Sequence, residues 1–276
     1  MPTIPSLQDL LKAGVHFGHR ETKWHPKMAP FIFTVRNGIH IIDLEKTVEK
    51  LKTALEFLKG VAAKGGVVLF IGTKPQARAH VRAAAESADA PYVTERWLGG
   101  TLTNFVVIHK LVRKLEEIER KLADADADKK YTKLERLMFD RERQRLVEAV
   151  GGVRAMKGLP QAVVCADLIH DETAVREARR RQVPTVALCD TNADPEDATY
   201  PIPANDDASR SIAFLMKLCA DAVREGVAAR ATAAAEASQA QEAAAAADAA
   251  EETAQVPEDI VVEAVKKAKV KEEIEV

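Results

Sequence analysis

The sequence predicts an α/β fold in which a parallel sheet is covered by helices on both faces. Three observations support this prediction. Short apolar runs recur through residues 1–226, they lack the polar alternation of a half-solvated strand, and helical patterns separate them. Strands of a parallel sheet are buried on both faces, so they read as nearly continuous apolar runs joined by helices.

The first 63 residues predict a short helix, a β-hairpin and a longer helix. The short helix covers 6–13. Two apolar runs, 31–35 and 39–42, then flank an Asn-Gly pair, which is a strong signal for a tight hairpin turn. The longer helix covers 43–63 and begins at an Asp, a residue that commonly caps helices.

Five strands with helices between them are predicted to build the sheet. The last of these strands contains two prolines, which are tolerated at the edge of a sheet. Helices are expected over 75–87 and 172–181, and a helix over 206–224 closes the body. The predicted strands are 67–72, 91–94, 162–167, 184–190 and 200–203.

Residues 105–150 interrupt this alternation with two long helical patterns. The first pattern has apolar residues at steps of three and four, which define one face of a helix. An acidic turn at 124–128 separates it from a more charged helix at 132–150. We expect an inserted antiparallel helical hairpin, packed as a coiled coil, that projects from the sheet.

Composition changes near residue 226. Residues 227–276 are rich in Ala and Glu and carry five Lys or Arg against eleven Asp or Glu. Residues 1–226 carry 35 Lys or Arg against 31 Asp or Glu, so the overall charge of −2 hides a mildly basic body and an acidic tail. After Val227, bulky apolar residues are absent until Val256, and we expect the tail to be disordered or weakly helical.

Composition also narrows the class of protein. No apolar run has membrane-spanning length, and no secretory leader is visible, which favours a cytoplasmic protein. The three cysteines are widely spaced, as expected for buried free thiols and not for disulfides or a zinc knuckle. They are Cys165, Cys189 and Cys219.

Residues 12–40 combine positive charge with aromatic rings. Five Lys or Arg stand against the single acid Glu21, with four histidines and four other aromatic residues between them. Cations neutralise phosphates and aromatic rings can stack on bases, so this region predicts RNA binding. The charged residues are Lys12, Arg20, Lys23, Lys27 and Arg36.

The segment 96–104 (RWLGGTLTN) follows a predicted strand and resembles a docking loop. It offers a cation, a stacking face, two glycines and three short polar side chains, without an acid, Cys or His. Acid–base or metal chemistry is therefore not expected there, and an anionic partner is. Gly99 and Gly100 also allow a tight exit into the next helix, and Trp97 can pack beneath that helix instead of stacking on a base.

A metal site is a weaker hypothesis. His16 and His19 are three residues apart, and Asp190 and Asp206 follow the last strands, whose carboxyl ends meet at one sheet edge. This arrangement predicts a structural metal ion at His19, Asp190 and Asp206, or a metal-dependent hydrolase that uses His16 as well. Histidines hydrogen-bonded within a loop are the more common arrangement. Lys74 begins a helix and could bind one phosphate of a polymer.

Several distinctive motifs occur in order along 6–226. The most specific are 12–19 (KAGVHFGH), 24–28 (WHPKM) and 96–104. Others are 71–74 (IGTK), 158–160 (GLP), 190–195 (DTNADP) and 202–207 (IPANDD). Together these motifs resemble the universal S-two family of bacterial small-subunit ribosomal proteins.

The resemblance implies a flavodoxin-like sheet with an inserted hairpin, and a structural, non-enzymatic protein of the ribosome. The implied partners are small-subunit rRNA and other small-subunit proteins, including the largest, messenger-binding one. No cofactor, membrane or small-molecule substrate is implied. A scaffold that binds only proteins through the hairpin remains a third possibility. The candidate RNA-binding residues are Lys23, Trp24, Lys27, Arg36, Lys74, Arg96, Trp97, Thr101, Thr103 and Asn104.

Overall fold

The computed structural model describes residues 4–124 and 130–254, and over 234–254 the backbone alone. Its contacts divide the chain into two units, 1–230 and 231–276. The first unit contains two sheets. No helix among the described residues is long and apolar enough to cross a bilayer.

The N-terminal region folds as predicted into a short helix and a β-hairpin. Helix α1 (Leu7–Ala13) begins in a capping box, in which the side chains of Ser6 and Asp9 each accept from the other's backbone N–H. Strands β1 (Phe17–Arg20), β2 (Ile32–Arg36) and β3 (Ile39–Ile42) form an antiparallel sheet in the order β1-β3-β2. The Asn-Gly turn has positive φ at both residues, which is the conformation that this dipeptide favours.

The second sheet is parallel and has five strands. In chain order they are β4 (Val68–Ile71), β5 (Tyr92–Val93), β6 (Ala162–Cys165), β7 (Thr185–Cys189) and β8 (Tyr200–Pro203). Their order in the sheet is β5-β4-β6-β7-β8, which is the flavodoxin-like order, with β8 at one edge. The predicted α/β class and all five predicted strands are therefore confirmed.

Helices cover both faces of this sheet. On one face, α2 (Leu44–Ala63), α3 (Pro75–Ser87) and α7 (Ser209–Ala254) pack in one apolar cluster with Phe70, Val164 and Leu188. On the other face, α4 (Phe105–Ala123), α5 (Lys133–Val150) and α6 (Glu172–Arg180) pack in a second cluster with Leu69, Ile71 and Val163. Successive strand residues thus alternate between two cores.

Helices α4 and α5 contact each other within the predicted insert. Leu115 and Ile118 of α4 lie in the same cluster as Leu146 and Val150 of α5, and Lys114 forms an ion pair with Glu142. Residues 125–129, which include most of the predicted acidic turn, lie outside the described residues. The chain returns to the sheet through Gly152, where an added Cβ would overlap the backbone oxygen of Tyr92.

The end of the body differs from the prediction. Helix α7 does not stop near residue 224 but continues to Ala254, so the described part of the tail has the helical one of the two states predicted for it. Alanine has the highest helix propensity of the amino acids, which explains helix in a stretch with few bulky apolar residues. Residues 255–276 lie outside the described residues.

Candidate nucleic-acid interface

Polar side chains from four strand ends meet at the carboxyl edge of the parallel sheet. Lys74 follows β4, Asp167 follows β6, Asp190 follows β7 and Asp206 follows β8. This edge contains the point where strand order reverses, between β4 and β6, which is the usual ligand position in open α/β sheets. Here the chain fills that position with its own ion pairs.

Lys74 is the centre of this cluster. Its ammonium lies 2.9 Å from Asp167, 3.0 Å from Asp206 and 2.7 Å from Asp207, and only 13% of the side chain is exposed. An ammonium has three hydrogens, and three carboxylates occupy its surroundings. Burial alone would lower the pKa of Lys74, but the surrounding carboxylates outweigh burial and raise it. Lys74 is thus held as a cation inside the fold.

His19 joins the small antiparallel sheet to the same cluster. Its Nδ1 lies 2.9 Å from Asp190 and its Nε2 lies 3.4 Å from Asp207. The hydrogen bond and charge of Asp190 raise the pKa of His19. Burial, together with the charges of Asp167 and Asp190, raises the pKa of Asp206 to about 7.

Ligand atoms of His19, Asp206 and Asp207 lie within 4.8 Å of one another, a grouping that could hold a metal ion. Asp190 approaches the other side of the imidazole. The carboxylates of Asp206 and Asp207 are also neutralised by the ammonium of Lys74. A structural metal at His19, Asp190 and Asp206 stays a prediction.

The loop 96–104 is organised by Glu177 of α6, a residue that the sequence analysis did not single out. One carboxylate oxygen of Glu177 accepts hydrogen bonds from the indole N–H of Trp97 and the backbone N–H of Gly100. The other accepts from the backbone N–H of Leu102 and from both the N–H and the hydroxyl of Thr103. Burial would raise the pKa of Glu177, but these hydrogen bonds lower it.

Half of the predicted RNA-binding residues are engaged within the fold. Trp97 packs against the second core cluster, and Thr101 is buried with its hydroxyl bound to the Leu98 carbonyl. Lys27 pairs with Asp194 and Glu196, at 2.8 and 2.5 Å. Direct RNA contact by these residues, and by Thr103 and Lys74, stays a prediction for which the structure offers a competing internal role.

The other half are exposed. Within the described residues, Lys23, Arg36 and Arg96 have no carboxylate partner, and Asn104 makes no capping hydrogen bond although it precedes α4. Trp24 is 41% exposed, with its ring 5.6 Å from that of His40. These five residues offer free charge, polar atoms and an aromatic face on the protein surface.

Backbone hydrogen bonds fix the N-terminal region to the sheet edge. The backbone N–H of His19 donates to the hydroxyl of Thr191 at 2.9 Å, and the backbone N–H of His25 donates to the Thr191 carbonyl at 2.7 Å. Gly18 lies so close to Thr191 that a Cβ there would overlap its side chain. The segment that carries Lys23 and Trp24 is thereby held on the parallel sheet.

This fold and site define an α/β protein in which ion pairs occupy the carboxyl edge of the parallel sheet and exposed cations lie on the surface. The model of the ribosomal protein S2 family matches residues 10–226, and the chain belongs to that family. Members of this family are structural proteins, so the chain is not an enzyme, and the alternative of a metal-dependent hydrolase is wrong.

Close relatives agree with the family match, and each of the following three is named small ribosomal subunit protein uS2. The protein from Acidothermus cellulolyticus is 47% identical over 230 residues, which are 83% of this chain and 84% of the relative. The protein from Thermobifida fusca is 46% identical over 234 residues, 85% and 80% of the two chains. The protein from Nocardia farcinica is 47% identical over 231 residues, 84% and 81% of the two chains.

Proposed function

We propose that this chain is a structural component of the small ribosomal subunit that binds small-subunit rRNA and needs no cofactor. The proposal rests on one observation: the side chains of Lys23, Arg36 and Arg96 are exposed and have no carboxylate partner among the described residues. Lys27 and Lys74, by contrast, are held in ion pairs within the fold. Phosphate contact accounts for much of the affinity of proteins for nucleic acid, and it requires free Lys and Arg.

The proposed contact surface consists of the five exposed residues Lys23, Trp24, Arg36, Arg96 and Asn104. Lys23, Arg36 and Arg96 would neutralise phosphates, Trp24 would stack on an unpaired base, and Asn104 would add a polar contact. The internally bonded residues of the loop 96–104 would act by holding Arg96 in place. Fixed geometry reduces the ordering cost of binding.

We expect the triple variant Lys23→Gln, Arg36→Gln and Arg96→Gln to bind purified small-subunit rRNA more weakly. Each lost phosphate contact lowers the slope of log affinity against log salt by about 0.7 to 0.9, so the slope should fall by about 2 to 3. Filter binding across a salt series measures this, and co-sedimentation with small subunits gives a second readout.

The matched control changes three exposed cations that lie outside the proposed surface: Lys52→Gln, Arg210→Gln and Lys217→Gln. It alters net charge by the same amount, so it should leave the salt slope nearly unchanged. Equal slopes for the two triple variants would show that the proposed surface does not contact rRNA.

We also propose that the chain helps to seat a neighbouring small-subunit protein, the largest, messenger-binding one. An exposed apolar patch supports a protein contact: Leu7 and Leu11 of α1 line one groove with Phe33 of β2, whose side chain is 75% exposed. Exposed apolar groups that line a common groove mark protein contact sites.

Phe33→Asp should weaken binding of the purified messenger-binding protein about tenfold. Aromatic side chains that become buried when a complex forms contribute much of its binding free energy. Val227→Asp is the control, since Val227 is 52% exposed and apolar but lies on α7. Pull-down after ribonuclease treatment separates protein contact from RNA bridging. Equal retention of the two variants would place the partner elsewhere.

We propose that α4 and α5 form the predicted antiparallel hairpin. The two helices would pack as a coiled coil, and the hairpin would project from the sheet. The shared apolar cluster and the Lys114–Glu142 pair support this arrangement. A hairpin of this kind would give the subunit a second point of contact away from the sheet edge.

A further inference from the structure

We infer that exposed arginines on α6 and directly after it form a second surface for the phosphate backbone of RNA, beside the loop 96–104. We call Arg176, Arg180 and Arg181 the arginine face. The inference rests on the proposed rRNA-binding function and adds a site to it. The family resemblance and the sequence patterns assigned no role to these residues.

The geometry of α6 places the arginine face next to the loop. Glu177 is bonded to the loop, and positions three and four residues further along a helix lie on the same side. Arg180 and Arg181 therefore flank the side of α6 that carries the loop. Arg176 is one turn before Arg180, so these two side chains are neighbours, and Arg181 follows at the end of the helix, while Ala174, Val175 and Ala178 face the core.

These arginines are available to a partner. All three are exposed, and within the described residues the side chains of Arg180 and Arg181 have neither a carboxylate partner nor a hydrogen bond, although the backbone N–H of Arg181 caps the helix. Arg176 pairs with Glu172 on the surface of the same helix. Exposed pairs of this type are weak, so a phosphate can replace the carboxylate.

The chemistry of the arginine face favours nucleic acid over an acidic protein. Every exposed position of α6 is polar or charged, so the arginine face lacks the aromatic anchors that are enriched, together with Met and Arg, at protein interfaces. Protein–nucleic acid interfaces are polar and strongly positive. Arg96, exposed at the start of the adjoining loop, extends the positive surface toward the first proposed site.

The test is the triple variant Arg176→Gln, Arg180→Gln and Arg181→Gln, with Lys52→Gln, Arg210→Gln and Lys217→Gln as the control of equal charge change. The probe is purified small-subunit rRNA. We expect the salt slope of the arginine-face variant to fall by about 2 to 3 and that of the control to stay nearly constant. Glu177 is retained, and circular dichroism should show unchanged folding.

The possible failures are distinct. If wild-type protein does not bind rRNA, the proposed function fails and this inference fails with it. If wild type binds but the arginine-face variant matches the control, only the inference is overturned. If the variant binds rRNA normally and instead loses a ribonuclease-resistant protein contact, the arginine face is a protein surface and the inference is likewise wrong.

Discussion

Replacing Glu177 with Ala should destabilise the protein by about 3 kcal/mol, because one carboxylate satisfies five donors of the loop 96–104. Hydrogen bonds to a charged acceptor contribute about 1.5 to 3 kcal/mol each, and donors left unsatisfied add a desolvation cost. Several of the freed N–H groups can reach water, so the total stays well below the sum. Urea unfolding measures the change in the free energy of unfolding.

Glu177→Gln should fall between wild type and Glu177→Ala. Each carboxylate oxygen serves a different set of donors, and the amide of Gln keeps only one oxygen. Either the Trp97 and Gly100 donors or the Leu102 and Thr103 donors therefore lose their acceptor. Hydrogen exchange at the backbone amides of Gly100, Leu102 and Thr103 shows which set is released.

The contribution of Glu177 should also depend on pH. Its pKa is lowered in the folded state, so folding is favoured above the unfolded pKa, and the gain is lost as pH falls through the folded value. The advantage of wild type over Glu177→Gln should thus shrink below about pH 4.

Glu172→Ala is the control on the same helix. Glu172 is exposed, and within the part of the chain that the structure describes its ion pair is with Arg176 alone, so its loss should cost less than about 0.5 kcal/mol. If Glu172→Ala and Glu177→Ala have equal effects, the loop does not depend on the buried carboxylate.

Local signals in the sequence were enough to predict the strands and the N-terminal hairpin. Continuous apolar runs and an Asn-Gly pair each determine a conformation within a few residues. The role of Glu177 could not be predicted in this way, because its partners lie about 75 residues earlier in the chain. A Glu between arginines in a helix resembles a solvated ion pair, and the sequence contains no signal that separates the two cases.

The position of Lys74 is predictable from the order of strands and loops in the sequence. The rule that carboxyl ends of parallel strands meet at one edge had already placed Asp190 and Asp206 together. Applied to the ends of β4 and β6, the same rule brings Lys74 and Asp167 to that edge. The rule therefore favours ion pairs between Lys74 and these carboxylates over a lysine that is free to bind phosphate.

Replacing Lys74 with Met should have the largest effect on stability, about 3 to 5 kcal/mol. Removing one partner of a buried ion pair leaves charge without compensation, and here Asp167 and Asp206 are both buried beside the lost ammonium. Lys27→Met is the control: Lys27 also contacts two carboxylates, but at the surface, and the change should be much smaller.

The effect of Lys74→Met should be larger at pH 8.5 than at pH 5.5. Asp206 has a folded pKa raised to about 7, so its penalty appears as pH rises from the unfolded value and is complete above the folded one. Loss of the ammonium raises that pKa further. The raised pKa of His19 also makes the folded state more stable at low pH, and this contribution to the free energy of unfolding is lost as pH rises.

A double variant tests whether uncompensated charge is the cause. Asp206→Asn removes one of the carboxylates that Lys74 neutralises, so Lys74→Met with Asp206→Asn should be more stable than Lys74→Met alone, most clearly at pH 8.5. Groups that share one ion-pair network give such non-additive changes. Urea unfolding of the four proteins at both pH values completes the cycle. Simple additivity, or a Lys74→Met cost no greater than that of Lys27→Met, would mean that the strand edge does not depend on this cation.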